Sequence, residues 1–225
     1  MRGMKKRIVF ILIVLAGFAV RMWHIDTESL WHDEGWSIRA IEGPFTTPDD
    51  NTPFVYYLTG HVLWQAGTGD SALAYRYTSV LIGTLTVALT LLLACRWFGF
   101  AVAVGAGVLV AVNPLLWDYA QEVRAYVAVP ALAVLMLYGA GRLLRFTHTP
   151  QYGRGMPRPY TTWVILWTLE VVALYTHNLA VPLVVWLNVA LGIVWLWRRD
   201  WQAMLIWAGT QTALIVAYVP WLLTQ

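Results

Sequence analysis

Charge is scarce in this chain. Only 12% of its 225 residues are Asp, Glu, Lys or Arg, and 59% are hydrophobic. A soluble domain carries about 25% charged residues, so this composition excludes an ordinary soluble protein and reads as an integral membrane protein. Cysteine is nearly absent. The single Cys95 excludes an internal disulfide and a Cys-rich metal centre; it reads as a small apolar filler in or beside a membrane helix. Neither an internal repeat nor a low-complexity tract is visible, so the paired halves of a secondary transporter are not expected. The net charge of +3 is too small to point to nucleic acid, and no nucleic-acid partner is expected.

Aromatics are plentiful. The 14 Trp and 11 Tyr suit the aromatic belts at membrane–water boundaries. Seven segments read as spans: 8–23, 77–97, 99–116, 123–144, 160–176, 178–197 and 202–223. Each approaches the ~20 residues needed to cross a bilayer. The pattern thus predicts an all-α integral membrane fold of about seven transmembrane helices in one domain, 1–225. A long outer loop, 24–76, carries short interfacial helices near 33–42 and 53–66. Asn51 or Thr52 would cap the second of these, with Pro53 in its first turn. The joining stretch Gly43–Asn51 is turn-rich, and the Pro/Gly-rich inner loop 146–159 reads as a basic cytoplasmic connector.

Sidedness follows from the basic residues. Arg2, Lys5, Lys6 and Arg7 precede the first span, Arg96 follows the second, and Arg142, Arg145, Arg154 and Arg158 flank the loop after the fourth. Arg198 and Arg199 follow the sixth. That face is expected to be cytoplasmic, with the N-terminus inside and the C-terminus outside. The acids, among them Asp26, Glu28, Asp33, Glu34, Glu42, Asp49, Asp50, Asp70, Asp118 and Glu122, fall on the outer side. Residues 1–20 also have features of a cleavable signal peptide, but Arg21 and Trp23 favour an interfacial anchor.

Four places can carry chemistry. The first is Trp31-His32-Asp33-Glu34. On a helix starting there, Asp33 and Glu34 point about 100° apart, so one can serve as a base while the other orients a partner; both also suit a helix N-terminus. A metal held by His32, Asp33 and Glu34 is disfavoured because three consecutive residues rarely converge on one ion. The second place is Asn113–Tyr126 between spans three and four. Read as a helix, it puts Gln121 beside Arg124 and Asp118 beside Glu122. Arg124 is suited to gripping a lipid phosphate, or to pairing with a glutamate. The third is the turn Tyr175-Thr-His177-Asn178, where His177 is a ligand, a proton carrier or a satisfied polar tip. The fourth is Glu170, an intramembrane carboxylate and so a functional candidate by default. Arg21, Arg76 and His177 are its candidate partners, or it is protonated and structural. Arg76 opens span two and either snorkels to headgroups or joins the phosphate site.

Taken together, Trp31–Glu34, Thr52-Pro-Phe-Val-Tyr-Tyr-Leu58, Ala72-Leu-Ala-Tyr-Arg-Tyr-Thr-Ser79 and Tyr119-Ala-Gln-Glu-Val-Arg-Ala-Tyr126, with Tyr175-Thr-His177, occur in one order on one predicted side. In this the chain resembles the GT-C superfamily of polyprenyl-phosphate-dependent glycosyltransferases. The likeness is to its protein mannosyltransferase and aminoarabinose transferase branch, over the N-terminal half of such enzymes. The resemblance implies transfer of a sugar from a polyprenyl-phosphate carrier to a protein, lipid or glycan acceptor at the outer face of the plasma membrane. It implies Asp33 as base with Glu34 beside it, and Arg124, Arg76 and Gln121 at the donor phosphate. His32, Tyr56, Tyr57, Glu122, Tyr126 and His177 would then line the substrate groove. Some relatives use a divalent cation and others do not; no ligand cluster argues for one here. A partner chain supplying the missing half is a further expectation. The alternative is a non-catalytic subunit that binds or flips the carrier, or a fragment that needs a partner.

Overall fold

The structure, a computed structural model, describes residues 2–43, 45, 52–69, 71–146 and 160–223. Pro44, residues 46–51, Asp70 and the stretch 147–159 lie outside these. So do the turn-rich joining stretch, Asn51 as a helix cap and the basic inner connector. Every regular element among the described residues is a helix. They are α1 (Arg2–Met22), α2 (His32–Glu42), α3 (Val55–Leu63), α4 (Ala72–Phe98), α5 (Phe100–Ala111), α6 (Pro114–Asp118), α7 (Ala128–Phe146), α8 (Tyr160–Leu174), α9 (Ala180–Trp197) and α10 (Trp201–Leu222), with a π-helical turn at Trp64–Thr68 after α3 and a 3-10 turn at Ala125–Val127 leading into α7.

Four helical stretches, Ala72–Phe98, Ala125–Leu144, Ala180–Trp197 and Trp201–Leu222, are long and apolar enough to cross a membrane. All four lie on expected spans. The other three expected spans fall on α1, which carries Arg2, Lys5, Lys6, Arg7 and Arg21, and on α5 and α8, apolar helices of only 12 and 15 residues. Outward-facing Leu109, Trp186 and Leu205 are 70%, 73% and 75% exposed, the kind of apolar surface that soluble proteins avoid. Cys95 lies within α4, half-buried and outside any disulfide.

Local sequence explains the breaks. Gly99 takes φ 91° between α4 and α5, a conformation open to glycine without strain. Ser71 caps α4 by accepting from the Ala74 amide at 3.2 Å, and Asp200 caps α10 from Ala203 at 3.1 Å. The predicted span 99–116 stops at Ala111 because Pro114 pushes Asn113 into extended backbone. The Asn113 side chain then accepts from the Leu116 amide at 3.0 Å and starts α6.

The chain divides into two compact units, Met1–Val134 and Leu135–Gln225. In the first, α1, α4 and α5 pack through Val87, Leu91 and Ala111, with Phe10, Ile13 and Val14 against them. Small residues set the spacing. A Cβ on Gly107 would lie 2.3 Å from the Leu91 side chain. The outer elements have their own core, in which Ala40 and Ile41 of α2, Tyr56 and Tyr57 of α3 and Tyr75 of α4 meet Ala120, Val123, Ala125 and Val127. Gly60 lets α3 approach the Ile41 side chain, which a Cβ there would meet at 2.8 Å. His61 closes the same contact through its Nδ1 at 2.7 Å from the Ile41 carbonyl.

Arg21 is not the interfacial anchor expected from its position. It is fully buried. Its guanidinium donates to the carbonyls of Gly17 at 2.9 Å, Ala111 at 3.2 Å and Val110 at 3.2 Å, so it closes the end of α5. Gly83 makes room for it: a Cβ there would stand 2.8 Å from Arg21 Nε and 2.9 Å from Ala120 Cβ. Gly83→Ala is therefore expected to destabilise the first unit by about 1–3 kcal/mol through overpacking. A thermal melt in detergent reads this; an unchanged or raised midpoint would show that Arg21 moves aside freely.

In the second unit Glu170 of α8 is 1% exposed. Its partners within this unit are side-chain amides. Asn188 Nδ2 of α9 donates to Oε1 at 2.7 Å and Gln211 Nε2 of α10 donates to Oε2 at 3.2 Å. Trp207 Nε1 donates to Asn188 Oδ1 at 2.8 Å. This network ties three helices together through uncharged donors. His177 is buried at the turn between α8 and α9, where its Nδ1 accepts from the Leu179 amide at 2.9 Å.

Candidate functional site

The candidate site lies in the first unit, where the start of α2 meets the turn after α6 and the start of α4. Its foundation is Glu34, 0% exposed. Arg76 grips it with two parallel hydrogen bonds, Nε to Oε1 at 2.9 Å and Nη2 to Oε2 at 2.7 Å. This is the fork geometry for which arginine is suited. The remaining Arg76 hydrogens reach the carbonyls of Ile25 at 2.7 Å, Glu28 at 3.1 Å and Ser29 at 3.5 Å. Glu34 also accepts from the Val123 amide at 3.0 Å, 89 residues away, and from the Trp31 amide at 3.4 Å. One buried carboxylate thus joins α2, α4 and the turn that carries Arg124.

Asp33, its neighbour, points the other way, as the helical offset requires. Its side chain is 40% exposed, and its Oδ2 lies 3.5 Å from Arg124 Nη1. His32 Nδ1 is 3.6 Å from Oδ1. Arg124 is only 14% exposed at its side chain. It lies over Tyr126 at 5.2 Å and Trp31 at 5.9 Å from the ring centroids and donates to the Tyr126 hydroxyl at 3.2 Å. Aromatic faces favour a cation there. Tyr119 packs on Tyr126, with centroids 5.2 Å apart. A carboxylate partly open to water and a guanidinium on an aromatic bed therefore stand side by side.

The turn itself differs from expectation. Residues 119–124 are not helical; α6 ends at Asp118 and Arg124 is extended at φ −139°, ψ 141°. Gln121 and Arg124 do not share a helix face, nor do Asp118 and Glu122. Gln121 turns back to α1, its Nε2 donating to the carbonyls of Trp23 at 2.6 Å and Arg21 at 3.0 Å. Trp117 Nε1 does the same to Val20 at 2.9 Å. A helix C-terminus with orphan carbonyls needs such donors, and they were available here because α6 is one turn long.

Two further groove candidates are buried. Tyr56 and Tyr57 are each 1% exposed. Tyr56 shares a 2.6 Å hydrogen bond with Ser79 of α4, and burial holds its hydroxyl well above the usual phenol range, keeping it protonated. They support the site from beneath and do not line an open groove, because their rings fill the gap between α3 and α4. Tyr126 is half-buried beside Arg124. His177 belongs to the second unit.

A cavity of about 390 Å³ is lined by Glu34, Arg76 and Gln121 together with Trp31, Asp118 and Glu122, among others, and not by Asp33 or Arg124. Burial first, then the charges of Asp118 and Glu34, hold the Glu122 carboxyl above the usual carboxylate range, against the pull of Arg124 and Arg76. A carboxyl raised in the folded state favours folding below its unfolded pKa, and that contribution is lost as pH rises through the folded value. Glu122→Gln is expected to raise the melting temperature at pH 7–8 and leave it nearly unchanged at pH 4. Melts at the two pH values check this, and an equal shift at both would refute it.

Three contributors carry no signal of their role in the sequence. The Val123 amide is backbone and leaves no side-chain signal. Trp31 and Tyr119 lay inside the singled-out stretches, and only their stacking reveals what they do. Among the described residues no group of three or more His, Cys, Asp or Glu is placed to hold a metal ion. Comparison with known protein families, curated proteins and solved structures finds no match to this chain.

Proposed function

We propose that this chain is a membrane glycosyltransferase that moves a sugar from a polyprenyl-phosphate carrier to an acceptor at the outer face of the plasma membrane. Asp33 acts as the base and Arg124 as the phosphate receptor. The observation that carries this reading is the 3.5 Å approach of Asp33 to Arg124. They come from segments far apart in sequence, and a carboxylate and a guanidinium are the groups suited to the two halves of one transfer. The exposed apolar helices supply contact with a lipid-borne substrate. The basic residues listing to one side of the expected spans support seven crossings with this site outside.

In the transfer, Asp33 takes the proton of the acceptor hydroxyl as its oxygen attacks the anomeric carbon. The bond from that carbon to the carrier phosphate breaks, and the phosphate leaves with the electron pair. Arg124 stabilises the charge that grows on it. Inversion at the anomeric carbon follows from attack opposite the leaving group. Glu34 and Arg76 are fully engaged with protein partners and are not assigned contact with substrate; the same holds for the Gln121 amide.

The test uses purified protein in lipid nanodiscs with a panel of labelled polyprenyl-phosphate sugars and an envelope extract as acceptor. Label is expected to leave the carrier with wild type. Arg124→Ala is expected to weaken carrier-phosphate binding by about 10-fold or more, as for a charged hydrogen-bond partner worth ~1.5–3 kcal/mol. Binding without transfer by wild type would sink the self-sufficient enzyme and leave the non-catalytic carrier-binding subunit.

A further inference from the structure

Asp33 and Arg124 approach to 3.5 Å from two segments far apart in sequence. Asp33 is in the first turn of α2, and Arg124 hangs from a non-helical turn. Within one residue of each stands a group held by the same buried carboxylate. Glu34 follows Asp33, and the Val123 amide, bonded to Glu34 Oε1 at 3.0 Å, precedes Arg124. Arg76 in turn locks that carboxylate to α4 through both oxygens, at 2.9 and 2.7 Å. The backbone on both sides of the candidate site is therefore registered to one point. Val123 is fully buried, as is Ala120 earlier in the turn, so the turn has no slack on its inner side.

We infer that Glu34 is a positioning residue, which sets the distance between Asp33 and Arg124 by holding the Val123 amide and Arg76 at once. This rests on the roles given above to Asp33 and Arg124, but its structural content does not. The Val123 hydrogen bond needs an acceptor at Oε1, and the Arg76 fork needs a negative charge across both oxygens. The two can be separated. Glu34→Gln keeps an acceptor for Val123 and gives up the charge. Glu34→Asp keeps the charge and is one methylene too short to serve both. Glu34→Ala removes everything.

The experiment is hydrogen–deuterium exchange on the full chain in nanodiscs, read on peptides covering 119–127 and on peptides of α4 and α5, alongside carrier-phosphate binding and transfer. For Glu34→Ala, exchange in 119–127 is expected to rise at least 10-fold while α4 and α5 stay protected, with transfer falling at least 100-fold. Glu34→Gln is expected to keep exchange of that segment within about 3-fold of wild type and recover part of the transfer. Glu34→Asp is expected to lie between them. If Glu34→Ala does not fold, the Gln and Asp variants carry the comparison. Unchanged exchange in 119–127 across all folded variants would overturn the inference. Equal loosening of the turn and the spans would also overturn it, since Glu34 would then only support the fold. Selective loosening in a protein that transfers no sugar even as wild type would uphold the positioning and defeat the enzyme reading.

Discussion

Arg76→Leu is expected to destabilise the first unit by about 3–5 kcal/mol, the usual cost of stripping one partner from a buried ion pair. The pair is nearly sealed, with side-chain exposures of 4% for Arg76 and 0% for Glu34, so water cannot take over the lost contacts. The substitution leaves the Glu34 carboxylate with only the Val123 and Trp31 amides and no charge partner, and it also releases the carbonyls of Ile25, Glu28 and Ser29. Those carbonyls shape the link from α1 to α2. For a protein of this size the melting midpoint should fall by on the order of 10 °C. Arg76→Lys should recover little, since an ammonium cannot present the parallel fork. The double variant Arg76→Leu with Glu34→Leu should be more stable than Arg76→Leu alone, because it removes the uncompensated charge. A single-variant midpoint within a degree or two of wild type would mean that the pair is held loosely and Glu34 is wet.

Asp33→Asn should reduce sugar transfer by roughly 10²–10⁴-fold, the typical contribution of a positioned general base. The amide preserves size and a hydrogen-bonding oxygen but cannot accept the acceptor's proton. Stability should change little, because the side chain is 40% exposed and its contact with Arg124 is a long 3.5 Å; exposed pairs of this kind contribute about 0–1 kcal/mol. Carrier binding should be retained or slightly tightened, since a phosphate would no longer compete with Asp33 for the guanidinium. Rates per folded molecule and carrier affinities, measured on the same preparations, separate these effects. Transfer at the wild-type rate would remove Asp33 from the chemistry.

How much of this was legible in the sequence varies by residue. The helix at His32–Glu42 falls within a residue of its expected start, since acidic residues and an apolar stripe mark it. The helix expected over 53–66 starts at Val55 and gives way at Trp64 to a wider turn ending at Thr68. Pro53 precedes it, and Gly67, at φ 87°, breaks its end. Asp33 and Arg124 stand out in the sequence as charged groups beside apolar segments, and the fold brings them to 3.5 Å. The division of labour inside Asp33-Glu34 was not legible there. Two adjacent carboxylates look alike in sequence, and only the fold turns one to water and the other onto Arg76. The same holds for Glu170, whose partners within its unit are the side-chain amides of Asn188 and Gln211.

By itself the sequence determined the helical character, the apolar lengths, most of the helix ends and the short list of polar residues set against apolar surroundings. These depend on composition and on neighbours within a few residues, through hydrogen bonding and caps that close locally. Tertiary structure decided which polar group meets which. A buried charge must find a partner, but many arrangements satisfy that demand. The choice of Arg76 for Glu34, of the Val123 amide as its third contact and of Arg124 for Asp33 came from packing α2, α3, α4 and the turn after α6 around one small core. Steric fit among Ile41, Gly60, Tyr56 and Tyr57 fixed those elements, and the electrostatic pairing followed from where the backbones were left.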